Sequence, residues 1–255
     1  MIKLHLIISL VIIAMSAMGQ ENPAPKPIIG GFYTPLYGAD SSVYVADFLL
    51  DEYPVTNQQY IAFVKSHPKW QKSKAPRLFN DENYLNKWQN DSTLGAMVRP
   101  NSPVTTISWF AAKEYCACQG KRLPTMDEWE YAAMASETKP NAQTDSAFNR
   151  KIIEGYELPK TYKNEIGSTF KNYWGIYDLH GLVWEWTSDF NSIFLSGESR
   201  QGVNADQNLF CGSAALNATN LMNYAAFMRY ALRGSVKANY TLLTLGFRCS
   251  KNHTK

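Results

Sequence analysis

The stretch from Gly175 to Asp189 gathers Asp178, His180, Trp184, Glu185 and Trp186 around a central glycine, Gly181. No helical period and no strict alternation runs through it. In a short extended segment Trp184 and Trp186 point to one face and Glu185 to the other. Gly181 permits a turn with positive φ, across which Asp178 and Glu185 converge with backbone carbonyls between them. Oxygen donors so arranged suit a hard cation such as Ca²⁺. An aromatic core strand with exposed acids is the competing account of the same residues. His180 sits in a turn, where a lone histidine is more often a satisfied structural group than a ligand.

Cysteine is the second source of chemistry. Cys116, Cys118, Cys211 and Cys249 allow three pairings, and an oxidising compartment favours bridging. Cys116 and Cys118 are too close to pair comfortably with each other, which points to long-range bridges. Zinc is a poor alternative, because a Cys-x-Cys without a matching second pair lacks the usual ligand spacing.

The compartment follows from residues 1–19, which read as a signal peptide. Lys3 supplies the positive start, a short apolar run follows, and Ala17-Met18-Gly19 offers small residues for cleavage before Gln20. The chain is thus expected in the periplasm or secreted, with no membrane span after cleavage. Residues 20–31, with three prolines and two glycines, read as a linker or an irregular entry strand, and 32–255 as one domain. A net charge of +3 argues against a nucleic acid or an anionic membrane as partner. Aromatics at 13% and charged residues at 18% indicate a well-filled globule.

Several elements must position these residues. Residues 43–50 form a buried strand by composition. Thr56 with Gln59 makes a capping box for a helix near 57–65 carrying Tyr60, Phe63 and Val64. Residues 103–108 read as a short strand ending at an N-cap serine, followed by a helix from Trp109 to Gln119 that Gly120 terminates. Thr125 with Glu128 makes a second capping box, for a helix from about Met126 through Met134. Residues 135–160 and 191–209 read as loops, 223–230 as a short helix and 242–249 as a terminal strand. So much irregular chain is unusual for a domain held by regular layers.

Four blocks, Phe48 to Tyr60, Pro103 to Cys116, Gly120 to Ala133, and Gly175 to Asp189 together with Gly246 to Cys249, occur in an order that resembles the formylglycine-generating enzyme family, or sulfatase-modifying factors. The resemblance spans roughly residues 28–250. It implies a single α+β domain of C-type-lectin-like fold with little regular secondary structure. It implies calcium held by the side chains of Asp178 and Glu185 and the carbonyls of Gly181 and Val183. It also implies a Cys116–Cys249 disulfide, worth on the order of 4 kcal/mol in the chain-entropy model. Cys118 and Cys211 are left as a second bridge, as free thiols, or as ligands of a soft ion such as Cu(I).

Family enzymes activate O₂ at copper held by two cysteines. Here Ser213 and the block from Arg229 to Arg233 match the catalytic segment, whereas Leu216 and Ala225 occupy the cysteine positions. Neither side chain supplies a thiolate, so copper is doubtful and the usual formylglycine reaction is not expected. A cleft lined by Ser213, Arg229, Arg233, Trp184 and Trp186 is the candidate site, and a buried structural role for the two arginines competes with it. The strings around His180, Asn223 and Gly246 look most like exported bacterial members, among them a pyoverdine-maturation oxidase and the accessory protein encoded beside copper nitrite reductase. The resemblance implies a maturation or oxidation factor, a monomer acting on a periplasmic protein or peptide-like substrate. A non-catalytic binding or assembly module on the same fold is the alternative.

Overall fold

A computed structural model describes residues 23–36, 42–191 and 221–253, with the side chains of residues 221–223 excepted. Four short strands come first: β1 (Lys26–Ile28), β2 (Gly31–Tyr33), β3 (Val43–Val45) and β4 (Phe48–Leu50). Helix α1 (Asn57–Ser66) follows, then α2 (Trp109–Cys118), α3 (Met126–Ala133) and α4 (Ser146–Glu157). The chain continues through β5 (Trp184–Glu185), α5 (Leu221–Ser235), β6 (Leu245–Gly246) and β7 (Ser250–Asn252). The class is α+β, with long irregular connections.

Three small sheets carry the strands. β4 lies between β1 and β7, antiparallel to both; β2 pairs with β3; β5 runs parallel to β6. The expected single strand over 43–50 is two strands. Asp47 breaks it by turning its carboxylate to accept from the Gly30 backbone N–H at 2.8 Å. Part of the expected linker is likewise strand, since Lys26 pairs with Leu50 and Ile28 with Phe48.

Both capping boxes form. The Thr56 side chain accepts from Gln59 N and Thr125 from Glu128 N, each with the reciprocal contact, and Ser108 caps α2. Gly120 ends α2 with φ +64°, in the left-handed region expected of it. Residues 103–108 are not a strand. They make one isolated bridge, Thr56 to Pro103, and Thr106 turns into positive φ. The expected loop over 135–160 contains α4, capped by Asp145 and burying Phe148 and Ile152. The final helix is longer than expected, and of the expected strand over 242–249 only β6 is strand, with β7 lying just beyond it.

The largest apolar cluster joins α1 and α2 to Trp88, Trp186 and Phe247. Tyr60 stands at its centre, fully buried, with its ring 5.8 Å from Tyr115 and 6.3 Å from Phe247. A second cluster packs β1 to β4 against Trp129 and Tyr131 of α3. A third joins Phe148 and Ile152 of α4 to Ala225 of α5. Cys116 and Cys249 are bridged, tying α2 to the segment before β7 across 133 positions.

Candidate functional site

The block from Gly175 to Asp189 runs past all three clusters. Gly181 has φ +84°, the turn its position requires, and a Cβ added to Gly155 of α4 would lie 3.4 Å from the Gly181 Cα. β5 follows, with Trp184 N donating to Thr244 O at 2.9 Å and Trp186 N to Gly246 O at 3.0 Å. Both tryptophans turn toward the largest cluster, and Glu185 points the other way, as strand alternation dictates.

Glu185 meets a cation there. Arg248 donates from Nε to both carboxylate oxygens and from Nη2 to Oε1, at 2.8 to 3.0 Å, while Trp129 Nε1 donates to Oε2 at 2.8 Å. Both side chains of the ion pair are wholly buried. Asp178 is buried too. Its carboxylate accepts from Gly167 N, from Thr169 N at 2.9 Å and from Thr169 Oγ1 at 3.0 Å, so it braces the turn at 167–169. The two acids thus have separate sets of donors. A calcium ion at the expected place would have to share both carboxylates with these donors and lie beside a buried guanidinium. The set does not fit the ion without displacing one of them, and charge at Glu185 is balanced without it. Among the described residues no three Asp, Glu, His or Cys side chains form a metal-binding group.

A second buried charge cluster lies beside the first. Arg229 and Arg233, one turn apart on α5, both reach Glu130 of α3. Arg229 Nε and Nη2 donate to its two oxygens at 2.6 to 3.0 Å, and Arg233 Nη1 donates to Oε1 at 2.6 Å. The Trp129 ring lies 4.7 Å from the Arg233 guanidinium. Burial acts to raise the Glu130 carboxyl, but the two guanidinium charges overcome it and hold the group at about 2. The same carboxylate, against the opposing effect of burial, holds Arg229 above its ordinary value.

The network continues outward. Arg229 Nη1 donates to the Tyr156 hydroxyl at 3.2 Å, and that hydroxyl lies 2.9 Å from His180 Nδ1. His180 Nε2 is 2.8 Å from Ala133 O, so Nε2 carries the proton and donates to that carbonyl while Nδ1 accepts from Tyr156. Burial, with Arg229 next, holds the imidazole down at about 3, and it is neutral at pH 7.

Above these groups opens a cavity of about 90 Å³, lined among others by Trp184, Tyr156, Lys160, Leu232 and Arg233. Its walls offer aromatic faces and cationic donors, which suit a carbonyl or carboxylate group carried on an apolar frame. The structure brings Trp184, Arg229 and Arg233 to this cavity as expected. It does not bring Trp186, which is buried in the core and donates through Nε1 to Ile107 O at 2.9 Å. Ala225 packs among Ala142, Phe148 and Ile152. Ser213, Cys211 and Leu216 lie outside the described residues. Cys118 is exposed and free.

Sequence reasoning missed Glu130, Tyr156, Lys160 and Arg248. Glu130 carries no local sign of its partners about a hundred residues on. Tyr156 was detectable, since Phe148, Ile152 and Tyr156 recur at helical spacing within the supposed loop.

Comparison with known proteins agrees with these blocks. Residues 16–253 match the family model described as the sulfatase-modifying factor enzyme 1-like domain. The chain is 28% identical to "Inactive C-alpha-formylglycine-generating enzyme 2" of Mus musculus over 91% of this chain and 87% of that one. It is 31% identical to "Formylglycine-generating enzyme" of Bos taurus over 64% of this chain and 47% of that one. The solved structure of PvdO from Pseudomonas aeruginosa superposes with a TM-score of 0.49 at 16% identity, over 89% of this chain and 93% of that one. The chain belongs to the formylglycine-generating enzyme, or sulfatase-modifying factor, family.

Proposed function

We propose that this chain is an exported maturation factor that works by binding a protein or peptide-like partner, without copper–thiolate oxidation. The observation that carries the reading is Ala225, 1% exposed and packed between α4 and α5 where the family's second copper cysteine is expected. A methyl group in an apolar cluster supplies no ligand, and a thiol there would be shut in among Phe148 and Ile152. Leu216 at the first position adds the same chemistry. A mammalian relative named as inactive is consistent with it.

Binding rather than acid–base work is favoured by the arginines. Arg229 and Arg233 are committed to Glu130, so the cavity presents a fixed electrostatic floor and not a free guanidinium clamp. A peptide carbonyl or carboxylate would meet Lys160, with Trp184 as wall and the paired arginines beneath. Chain export, with cleavage before Gln20, belongs to the same proposal, and N-terminal sequencing of the mature protein from its host tests it.

The direct test is Cu(I) titration of the purified mature protein against a colorimetric chelator, with O₂ uptake measured in the presence of a cysteine-containing peptide. The expected result is no stoichiometric copper and no peptide-dependent O₂ consumption. One copper per chain with peptide-dependent O₂ consumption would overturn the reading, and loss of both in Cys118→Ser or Cys211→Ser would locate the replacement ligands.

A further inference from the structure

Apart from the Trp184 cavity, positive charge is gathered at one place without a counter-charge. A cavity of about 160 Å³ is lined by Lys87, Arg99 and Lys163, and no acid lines it. Among the described residues none of these three side chains has an ion pair or hydrogen bond. The buried cations Arg229, Arg233 and Arg248, by contrast, each meet a carboxylate. The chain holds 25 lysines and arginines against 22 acids, so overall charge does not account for three unpaired cations around one acid-free opening. Two hydroxyls line the same space, those of Thr105 and Tyr162. They too have no hydrogen-bond partner among the described residues.

The walls of this cavity are tied together. Asn57, buried at the first position of α1, lines it as well. Its Nδ2 donates to Ser102 O at 3.0 Å and to Arg99 O and Pro103 O at 3.2 Å, and its Oδ1 accepts from Trp88 Nε1 at 3.0 Å. Ser102 Oγ in turn donates to Lys163 O at 3.1 Å. Thr106, at φ +57°, donates its N–H to Leu242 O at 3.0 Å, which brings Leu243 to the wall beside Thr105. The backbones that carry Arg99 and Lys163 are thus fixed to one another and to the indole that follows Lys87. Only side-chain ordering is left for a ligand to impose.

We propose that this cavity binds a phosphate monoester carried on a small apolar frame. The phosphate accepts charge-assisted hydrogen bonds from Arg99, Lys87 and Lys163, and the Thr105 and Tyr162 hydroxyls donate to its remaining acceptor positions. A phosphate monoester brings about −1.5 to −2 of charge and three strong acceptor oxygens at pH 7. A carboxylate brings one charge and two oxygens, which leaves cations and hydroxyls unanswered. The frame lies against Trp88, Val98 and Leu243. The space compares with the roughly 150 Å³ that holds one benzene molecule in a protein core, so a single ring fits. No residue lines both this cavity and the Trp184 cavity, so occupancy here is separable from partner binding there.

The experiment is calorimetric titration of the purified mature protein with phenyl phosphate, inorganic phosphate and benzoate. One phenyl phosphate per chain is expected, with inorganic phosphate and benzoate each ~10-fold weaker or more. Lys87→Gln, Arg99→Gln and Lys163→Gln should each weaken phenyl phosphate ~10-fold. Lys160→Gln, at the Trp184 cavity, should leave it unchanged. The three substituted side chains brace nothing among the described residues, so their melting temperatures should stay near that of the parent. Should one variant fail to fold, the other two and the comparison of ligands still decide. No saturable binding at about 10 mM phenyl phosphate would overturn the proposal. So would inorganic phosphate or benzoate binding as tightly as phenyl phosphate, or binding that Lys160→Gln abolishes and the three variants leave intact.

Discussion

Arg248 holds Glu185 through three N–H to oxygen contacts of 2.8 to 3.0 Å, and its remaining N–H groups reach the carbonyls of Asp51, Glu52 and Tyr177. One guanidinium thereby fastens the tryptophan block, the end of β4 and the segment before β7. Removing one partner strands a buried charge, so Arg248→Met or Glu185→Leu should each cost about 3 to 5 kcal/mol in urea unfolding. The double variant should be less destabilised than either single one. Additive losses would show that the carbonyl contacts, not the ion pair, dominate.

The same balance predicts the response to calcium. With Glu185 already neutralised, chelator should leave the melting temperature of the purified protein unchanged, and added calcium should not raise it. A fall in chelator that calcium alone restores would mean that an ion shares Asp178 and Glu185 with their present donors.

Acid should act in two windows. His180 is held at about 3 against an ordinary 6.5, so its stabilisation is present above 6.5 and is lost as pH falls from there toward 3. Glu130 is held at about 2 against 4.5, so its share, about 3 kcal/mol, is present above 4.5 and is lost as pH falls toward 2. Urea midpoints measured against pH should decline through both windows. Glu130→Gln should flatten the lower one. A proton titration of the His180 imidazole above pH 5, followed by NMR, would refute the upper assignment.

The two tryptophans of the block should separate stability from binding. Trp186→Ala should cost about 3 to 5 kcal/mol by emptying the core around Ile107. Trp184→Ala, at the half-buried cavity wall, should cost less and should weaken binding of a peptide partner, read by calorimetry. Equal stability losses with unaltered binding would remove Trp184 from the proposed site.

What the sequence disclosed was local chemistry. The capping boxes at Thr56 and Thr125 state their helices within four residues, and each forms as read. The Cys116–Cys249 bridge came from resemblance, since spacing alone left the pairings open. Residues 103–108 have strand composition, yet Thr106 adopts positive φ, with its N–H bonded to Leu242 O, and tertiary contacts override propensity. Helix α4 was hidden by its polar flanks. The two ion-pair clusters were least legible. Glu130 meets Arg229 across 99 positions and Glu185 meets Arg248 across 63, and nothing in either neighbourhood announces the partner. In three dimensions Asp178 braces the turn at 167–169 and Glu185 meets Arg248, contacts that the one-dimensional acid pair does not announce.

The sheet order β1–β4–β7 has a consequence for how the chain comes to be finished. β4 receives one neighbour from residues made early and the other from residues 250–252. Arg248 and Cys249 arrive in the same few residues. During vectorial synthesis, then, a nascent chain that has passed all the helices still holds Glu185 without its counter-charge, Cys116 without its bridge partner and β4 with a bare edge. Completion is a single late event. A chain interrupted before residue 248 lacks all three together.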